Sequence, residues 1–262
     1  MSEAMIPKPA PFRLLGLPVD GLTMKEFLEL IEGHLAQERK EQLPESGSSS
    51  PPGLCHIVTI NPEIAWLAQS NQLMEQAIQQ AHLIVPDGIG VVLAARLKGG
   101  KVPQRVAGFD LMQEMLKLAA DQSYTVFFLG AAPGIAEAAA ATAVENNPGL
   151  QVVGTNHGYF KAEEEEGVIQ KIAALKVDML FCALGNPRPA ETWIFNHKQE
   201  LQAGVAMGVG GSFDVMAGKV LRAPLWMQKI GLEWLYRVWR EPKRIRRLAA
   251  IPKFMWKVFI SQ

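Results

Sequence analysis

Short, uniformly apolar runs recur along this chain, separated by helical patterns, and that alternation restricts the fold more than any other feature. The runs lie at Cys55–Ile60, Leu83–Val85, Tyr124–Leu129, Gln151–Gly154, Asp178–Leu184 and Val205–Val209. Helix-periodic stretches such as Leu111–Ala120 and Ile135–Glu145 fall between them. A strand without polar alternation has both faces covered, and strands that alternate with helices pair in parallel. The spacing therefore predicts an α/β fold, Rossmann-like, with a largely parallel sheet flanked by helices. Ahead of that sheet a strand is expected around Phe12–Val19. A helix should follow, announced by Thr23-x-x-Glu26, which has the form of a capping box. The Ser/Pro-rich stretch Glu45–Gly53 reads as a polar loop.

Charge divides the chain in two. The 26 basic and 26 acidic residues cancel overall, yet residues 219–262 hold eleven Lys/Arg against two Glu. Four of the six tryptophans (Trp226, Trp234, Trp239 and Trp256) lie in the same stretch. Past Pro242, the residues Ile245, Leu248, Pro252, Met255 and Phe259 recur at three- and four-residue steps, which predicts an amphipathic helix that Pro252 kinks or divides. The reading is a core at 1–218 and a basic, Trp-rich helical appendage at 219–262 suited to an anionic membrane surface. The same helix could instead pack on the core. Nucleic acid is not expected as a partner, because the aromatics are placed for burial rather than interleaved on a strand-like platform. No apolar run reaches the roughly 18 residues of a membrane span, and the N-terminus lacks a signal-peptide pattern. Cys55 and Cys182 sit in apolar runs and suggest neither a disulfide framework nor a metal site.

In parallel sheets ligands bind beyond the C-terminal strand ends, so the loops there are the ones to read. The first apolar run leads into Thr59-Ile60-Asn61-Pro62, where Asn61 is a natural N-cap before Pro62. The second ends at Pro86-Asp87-Gly88, where Asp87 either caps the next helix or presents a carboxylate to a ligand. Gly130-Ala131-Ala132-Pro133-Gly134 has the form of a phosphate-cradling turn. Gly208-Val209-Gly210-Gly211 lets a ligand approach the backbone, with Asp214 available for a ribose or base. No His/Cys cluster has metal-ligand spacing, no G-x-S-x-G elbow appears, and no dinucleotide fingerprint supports an oxidoreductase. D-x-D is absent as well, so any sugar-nucleotide chemistry would have to neutralise its leaving diphosphate with arginines and backbone amides.

Read together, these pieces resemble the WecG/TagA/CpsF glycosyltransferase family, glycosyltransferase family 26. The matching stretches are TINPEIAWLA (59–68), VPDGIGVVLAA (85–95), RVAGFDL (105–111), FFLGAAPG (127–134), NHGYF (156–160), DMLFCALGNP (178–187), GVGGSFDVMAG (208–218) and RAPLWMQKIGLEWLYRVWREPKRIRR (222–247). They run in order over nearly the whole chain. The resemblance implies a metal-independent, inverting transferase without a cofactor. It would move an N-acetylmannosamine-type sugar from a UDP donor to a polyprenyl-diphosphate-linked acceptor in cell-envelope or exopolysaccharide assembly. It further implies Asp87 as general base, Thr59 and Asn61 in the same pocket, and Arg105 near the diphosphate or acceptor. Gly130, Gly134, Gly185, Gly210 and Asp214 would contact the UDP-sugar. Arg237, Arg244 and Arg247 would reach over the pocket to the diphosphate and the membrane. The expected location is cytoplasmic, peripheral to the inner face of the cell membrane, with a homo-oligomer left open. One departure stands out. The family reads G-x-P-x-Q-E-x-W where this chain reads Gly185-Asn186-Pro187-Arg188-Pro189-Ala190-Glu191-Thr192-Trp193, one residue longer and without the glutamine. That loss motivates an alternative, a catalytically silent UDP-sugar-binding or scaffold subunit.

Overall fold

A computed structural model describes residues 8–41, 53–240 and 250–261. The expected first strand is in fact a hairpin: β1 (Phe12–Leu14) and β2 (Leu17–Val19) pair antiparallel. The turn between them consists of Leu15 and Gly16, both left-handed, at φ 52° and 82°. Two consecutive left-handed residues make the tight hairpin turn, and a leucine in the first position conceals it from the sequence. The helix α1 (Met24–Glu41) starts on the anticipated capping box. Thr23 donates its N–H to Glu26 Oε2 at 2.7 Å, and Glu26 donates its N–H to Thr23 Oγ1 at 3.3 Å.

Among the described residues, six strands form the main sheet: β3 (Cys55–Ile60), β4 (Leu83–Pro86), β5 (Thr125–Gly130), β6 (Gln151–Asn156), β7 (Met179–Ala183) and β8 (Val205–Gly208). Their order is β4-β3-β8-β7-β5-β6, every neighbouring pair parallel. The helices between them are α2 (Pro62–Ala68), α3 (Gln72–Gln79), α4 (Ile89–Leu97), α5 (Gly108–Gln122), α6 (Ile135–Asn146), α7 (Ala162–Leu175) and α8 (Ala190–His197), and α9 (Ser212–Met216) follows β8. The parallel, helix-flanked sheet that the apolar runs predicted is present.

Alternate side chains of each strand feed two separate layers. On one face Ile57, Val85, Phe128, Phe181 and Met207 pack with residues of α1, α5, α6 and α9, including Phe27, Met112, Ala139 and Phe213. Phe128 and Phe213 stack at 4.8 Å. The alanine run of α6 is a close-packed helix face, with Ala136, Ala139, Ala140 and Ala143 buried. On the other face Val58, Ile60 and Ile84 meet α2, α3 and α4, while Phe127, Leu180 and Ala206 meet α7 and α8. Thus β3 is followed by a helix on one face and its neighbour β8 by a helix on the other. The same divergence separates β5 from β7. Crevices open at such points beyond the strand ends.

The C-terminal part comprises α10 (Leu225–Lys229), α11 (Glu233–Arg240) and α12 (Ala250–Ile260). The last helix lays Ala250, Phe254 and Val258 into the core. This is not the stripe expected from Pro252, Met255 and Phe259; Phe259 is 80% exposed. Ile251, Met255, Trp256 and Ile260 make the helix apolar most of the way round, so periodicity alone does not select the face. Pro252 lies within α12, whereas Ile245 and Leu248, on which the rest of the predicted stripe depended, fall outside the described residues.

Candidate active site

Asp87 stands where β4 ends, beside the end of β3. The N–H groups of Asp87 and Gly88 both donate to Ile60 O, at 3.0 and 3.3 Å, fixing the two strand ends to one another. Gly88 and Gly90 are glycines for a steric reason. A Cβ there would lie 2.6 and 2.9 Å from the Pro62 ring, so the Asp87 turn rests directly on the first turn of α2. Asn61 caps that helix, its Oδ1 accepting the N–H groups of Glu63 and Ile64 at 3.0 Å each. The capping reading of Asn61 is therefore correct. Asp87 does not cap α4, whose N-cap is Gly88, without a side-chain bond. Its carboxylate instead accepts the N–H of Gly108 at 3.1 Å, at the start of α5. Buried Thr59 lies under the same helix start.

The segment leading to α5 brings Arg105 to this point. Val106 donates its N–H to Pro86 O at 3.0 Å, which holds the segment along the end of β4. Arg105 Nε then donates to Asp87 O at 2.5 Å, and Nη2 lies 3.5 Å from Asp87 Oδ1. The Asp87 side chain keeps 27% of its surface open to solvent. A partly open carboxylate fixed by two donors can accept a proton from a hydroxyl that reaches it.

Two residues here were not singled out from the sequence. Arg105 also pairs with Glu233, and Glu233 Oε1 accepts from Arg222 Nε at 3.0 Å. Arg222 Nη1 donates to Asp110 at 2.6 Å, and the guanidinium covers the Phe109 ring at 4.5 Å. The paired arginines hold the Glu233 carboxyl below the usual range despite burial that acts the other way. Both residues lie within the stretch 222–247, but a glutamate 128 positions from Arg105 gives no local sign of the contact.

The glycine loops fall into two kinds. Gly130, at φ 128°, admits no side chain because the backbone of Ala183 lies 2.4 Å from where its Cβ would be. The N–H of Ala131 is already taken by Ala183 O at 2.9 Å. That glycine thus serves the contact between β5 and β7. Gly134, Gly185 and Gly210 instead border open space, and Gly211 is approached only by Asp214. By strand order Gly210 and Asp214 follow the second strand from Asp87, and Gly130 the fourth, about 19 Å away at ordinary strand spacing. The loop with Pro189 and Ala190 in the glutamine's place starts α8, where Ala190 is buried. The next residue, Glu191, sets its carboxylate against Gly208, and burial raises it, with the charge of Glu63 adding to the shift. Nothing is described of the Arg237 side chain, and Arg244 and Arg247 lie outside the described residues. Among those described, no three His, Cys, Asp or Glu side chains converge as metal ligands.

The family model for the glycosyl transferase WecG/TagA/CpsF family matches residues 12–262. This chain belongs to that family. It is a glycosyltransferase. A relative from Bacillus spizizenii, named an N-acetylglucosaminyldiphosphoundecaprenol N-acetyl-beta-D-mannosaminyltransferase, is 41% identical over 202 residues, covering 77% of each chain. A relative of the same name from Staphylococcus aureus strain MW2 is 37% identical over 245 residues, covering 94% of this chain and 91% of its own.

Proposed function

We propose that this glycosyltransferase transfers an N-acetylmannosamine-type sugar from a UDP donor to a polyprenyl-diphosphate-linked acceptor, without a metal, in cell-envelope or exopolysaccharide assembly. The observation that carries the reading is the Asp87 carboxylate, held by Gly108 and Arg105 at the end of β4. In the proposed step the acceptor hydroxyl gives its proton to Asp87 as its oxygen attacks C1 of the sugar. The bond from C1 to the diphosphate oxygen breaks, and UDP leaves with that electron pair. A single displacement inverts the anomeric centre. Charge building on the diphosphate is offset by arginines, and the guanidinium of Arg105 beside Asp87 supports a part for it. Gly210 and Gly211, beside open space, let the donor approach the backbone near Asp214. The names of the two relatives support the sugar and the acceptor.

The acceptor's lipid calls for a peripheral membrane site. No helix among the described residues is long and apolar enough to cross a bilayer. Leu225, Trp226, Trp239, Trp256 and Phe259 are exposed, and so are Lys229, Arg240 and Lys253 in the same C-terminal stretch. Apolar and basic side chains displayed together suit an anionic leaflet. The absence of the family glutamine at Pro189-Ala190 favours one rival reading, a UDP-sugar-binding scaffold without turnover. Incubating the full chain with UDP-sugars and short-chain polyprenyl-diphosphate acceptors separates the two. Release of UDP with an inverted product is expected; sugar-nucleotide binding without UDP release would establish the scaffold.

A further inference from the structure

We propose that Arg105 and Arg222 together form a binding site for a diphosphate, and that Glu233 occupies it as an internal anion in the molecule described here. The inference rests on the glycosyltransferase reading for its ligand class and on the geometry of α11 for the rest. Each carboxylate oxygen of Glu233 takes one guanidinium, Oε2 from Arg105 and Oε1 from Arg222. Two guanidinium groups converging on one anion from separate segments is the arrangement that binds phosphate and diphosphate oxygens. Glu233 is only 8% exposed, although it is one of two acidic residues in the basic stretch from 219 onwards.

The site has more donors than a carboxylate can satisfy. Arg222 Nη2 is buried with no hydrogen-bond partner among the described residues. A buried donor left without a partner is costly, and a diphosphate offers further oxygens to it. Asp110 and the Phe109 ring fix the Arg222 guanidinium on the first turn of α5. That turn begins at Gly108, whose N–H holds Asp87. Arg105 touches Asp87 directly. An anion displacing Glu233 would therefore sit next to the proposed base. Arg105 Nη1 also donates to Gln228 O at 3.3 Å, so the exchange frees one of the ties between the arginine pair and the C-terminal helices.

Binding of inorganic pyrophosphate, UDP, uridine and farnesyl diphosphate to the full chain tests this without any need for turnover. Glu233→Gln removes the competing charge and should tighten pyrophosphate about tenfold, while Arg222→Gln should weaken it by a similar factor. Uridine affinity should be unchanged in both. Tightening shared by pyrophosphate and UDP but not farnesyl diphosphate assigns the site to the donor, and tightening shared by pyrophosphate and farnesyl diphosphate but not UDP assigns it to the acceptor lipid. Pyrophosphate affinity that is unchanged or weaker in Glu233→Gln overturns the proposal. If that variant fails to fold, hydrogen exchange on the unaltered chain decides. Pyrophosphate should speed exchange in the segment 225–240, and unchanged or slowed exchange there overturns it. A chain that binds as stated but transfers no sugar overturns only the catalytic reading. A transferase whose pyrophosphate affinity ignores Glu233 overturns only this one.

Discussion

Gly108 donates its N–H to the Asp87 carboxylate at 3.1 Å, and a Cβ on Gly108 would stand 3.1 Å from the Thr59 methyl carbon. One backbone position thus sets the carboxylate and the packing of α5 on β3 together. Gly108→Ala should move the start of that helix by a few tenths of an ångström and loosen the bond to Asp87. Overpacking of this kind costs roughly 1–3 kcal/mol. The expected outcome is a modest drop in Tm with a disproportionate loss of kcat, checked by thermal unfolding beside UDP release.

Asp87→Asn keeps an oxygen for the Gly108 N–H but cannot take a proton. Turnover should fall by about 10²–10⁴, the usual worth of a positioned base. Donor affinity should change little. Wild-type turnover would remove Asp87 from the mechanism.

Asn61 makes two capping bonds and so serves α2 whatever else it does. Asn61→Ala should cost about 1 kcal/mol of stability, while Asn61→Asp, which can still cap, should restore it. If kcat/KM recovers with the aspartate, the cap is all that Asn61 supplies. If it does not, the amide itself meets substrate.

Glu38 lies far from the pocket, at the opposite end of the sheet beside Gly204. Burial pushes its carboxyl up to about 7, with the charges of Asp178 and Glu41 adding to the shift. Between its ordinary value and about 7 the folded chain holds a proton that the unfolded chain has released. Stability from this group is therefore complete at low pH and is lost as pH rises through about 7. Glu38→Gln should raise Tm at pH 8 relative to the unaltered chain, with the difference shrinking toward pH 5. Paired melts across that range check it.

Trp256 and Phe259 project from α12 on the side away from Phe254. Replacing both with serine should weaken binding to anionic vesicles at least tenfold, since each buried aromatic side chain contributes about 1.5–3 kcal/mol. The fold should be unaffected. Binding of the unaltered chain should also weaken with salt, because its basic share is screened. Failure of the unaltered chain to bind at low salt would sink the membrane reading.

The main sheet was legible because its strands other than β6 are apolar and buried along nearly their whole length, and β3 was placed to the residue. The hairpin was not, since Leu15 adopts a conformation usually left to glycine or asparagine. The buried face of α12 was hidden by a helix with too many apolar residues to choose from. At the candidate site, Asp87 and Asn61 could be located by their place after strand ends. Arg222 and Glu233 could not. Their significance depends on Arg105, more than a hundred residues earlier, and a charge in a basic segment reads as solvated until its neighbours are known.

Phe254 seats α12 against α2, the helix that Asn61 begins. The exposed Trp256 and the candidate site are therefore carried on helices packed into one core. If a bilayer grips Trp256, as proposed, it also sets the height and tilt of Asp87 above the headgroups. On that reading the reach of the acceptor would be a fixed length, and sugars carried too far from their lipid anchor would pass over Asp87 rather than meet it.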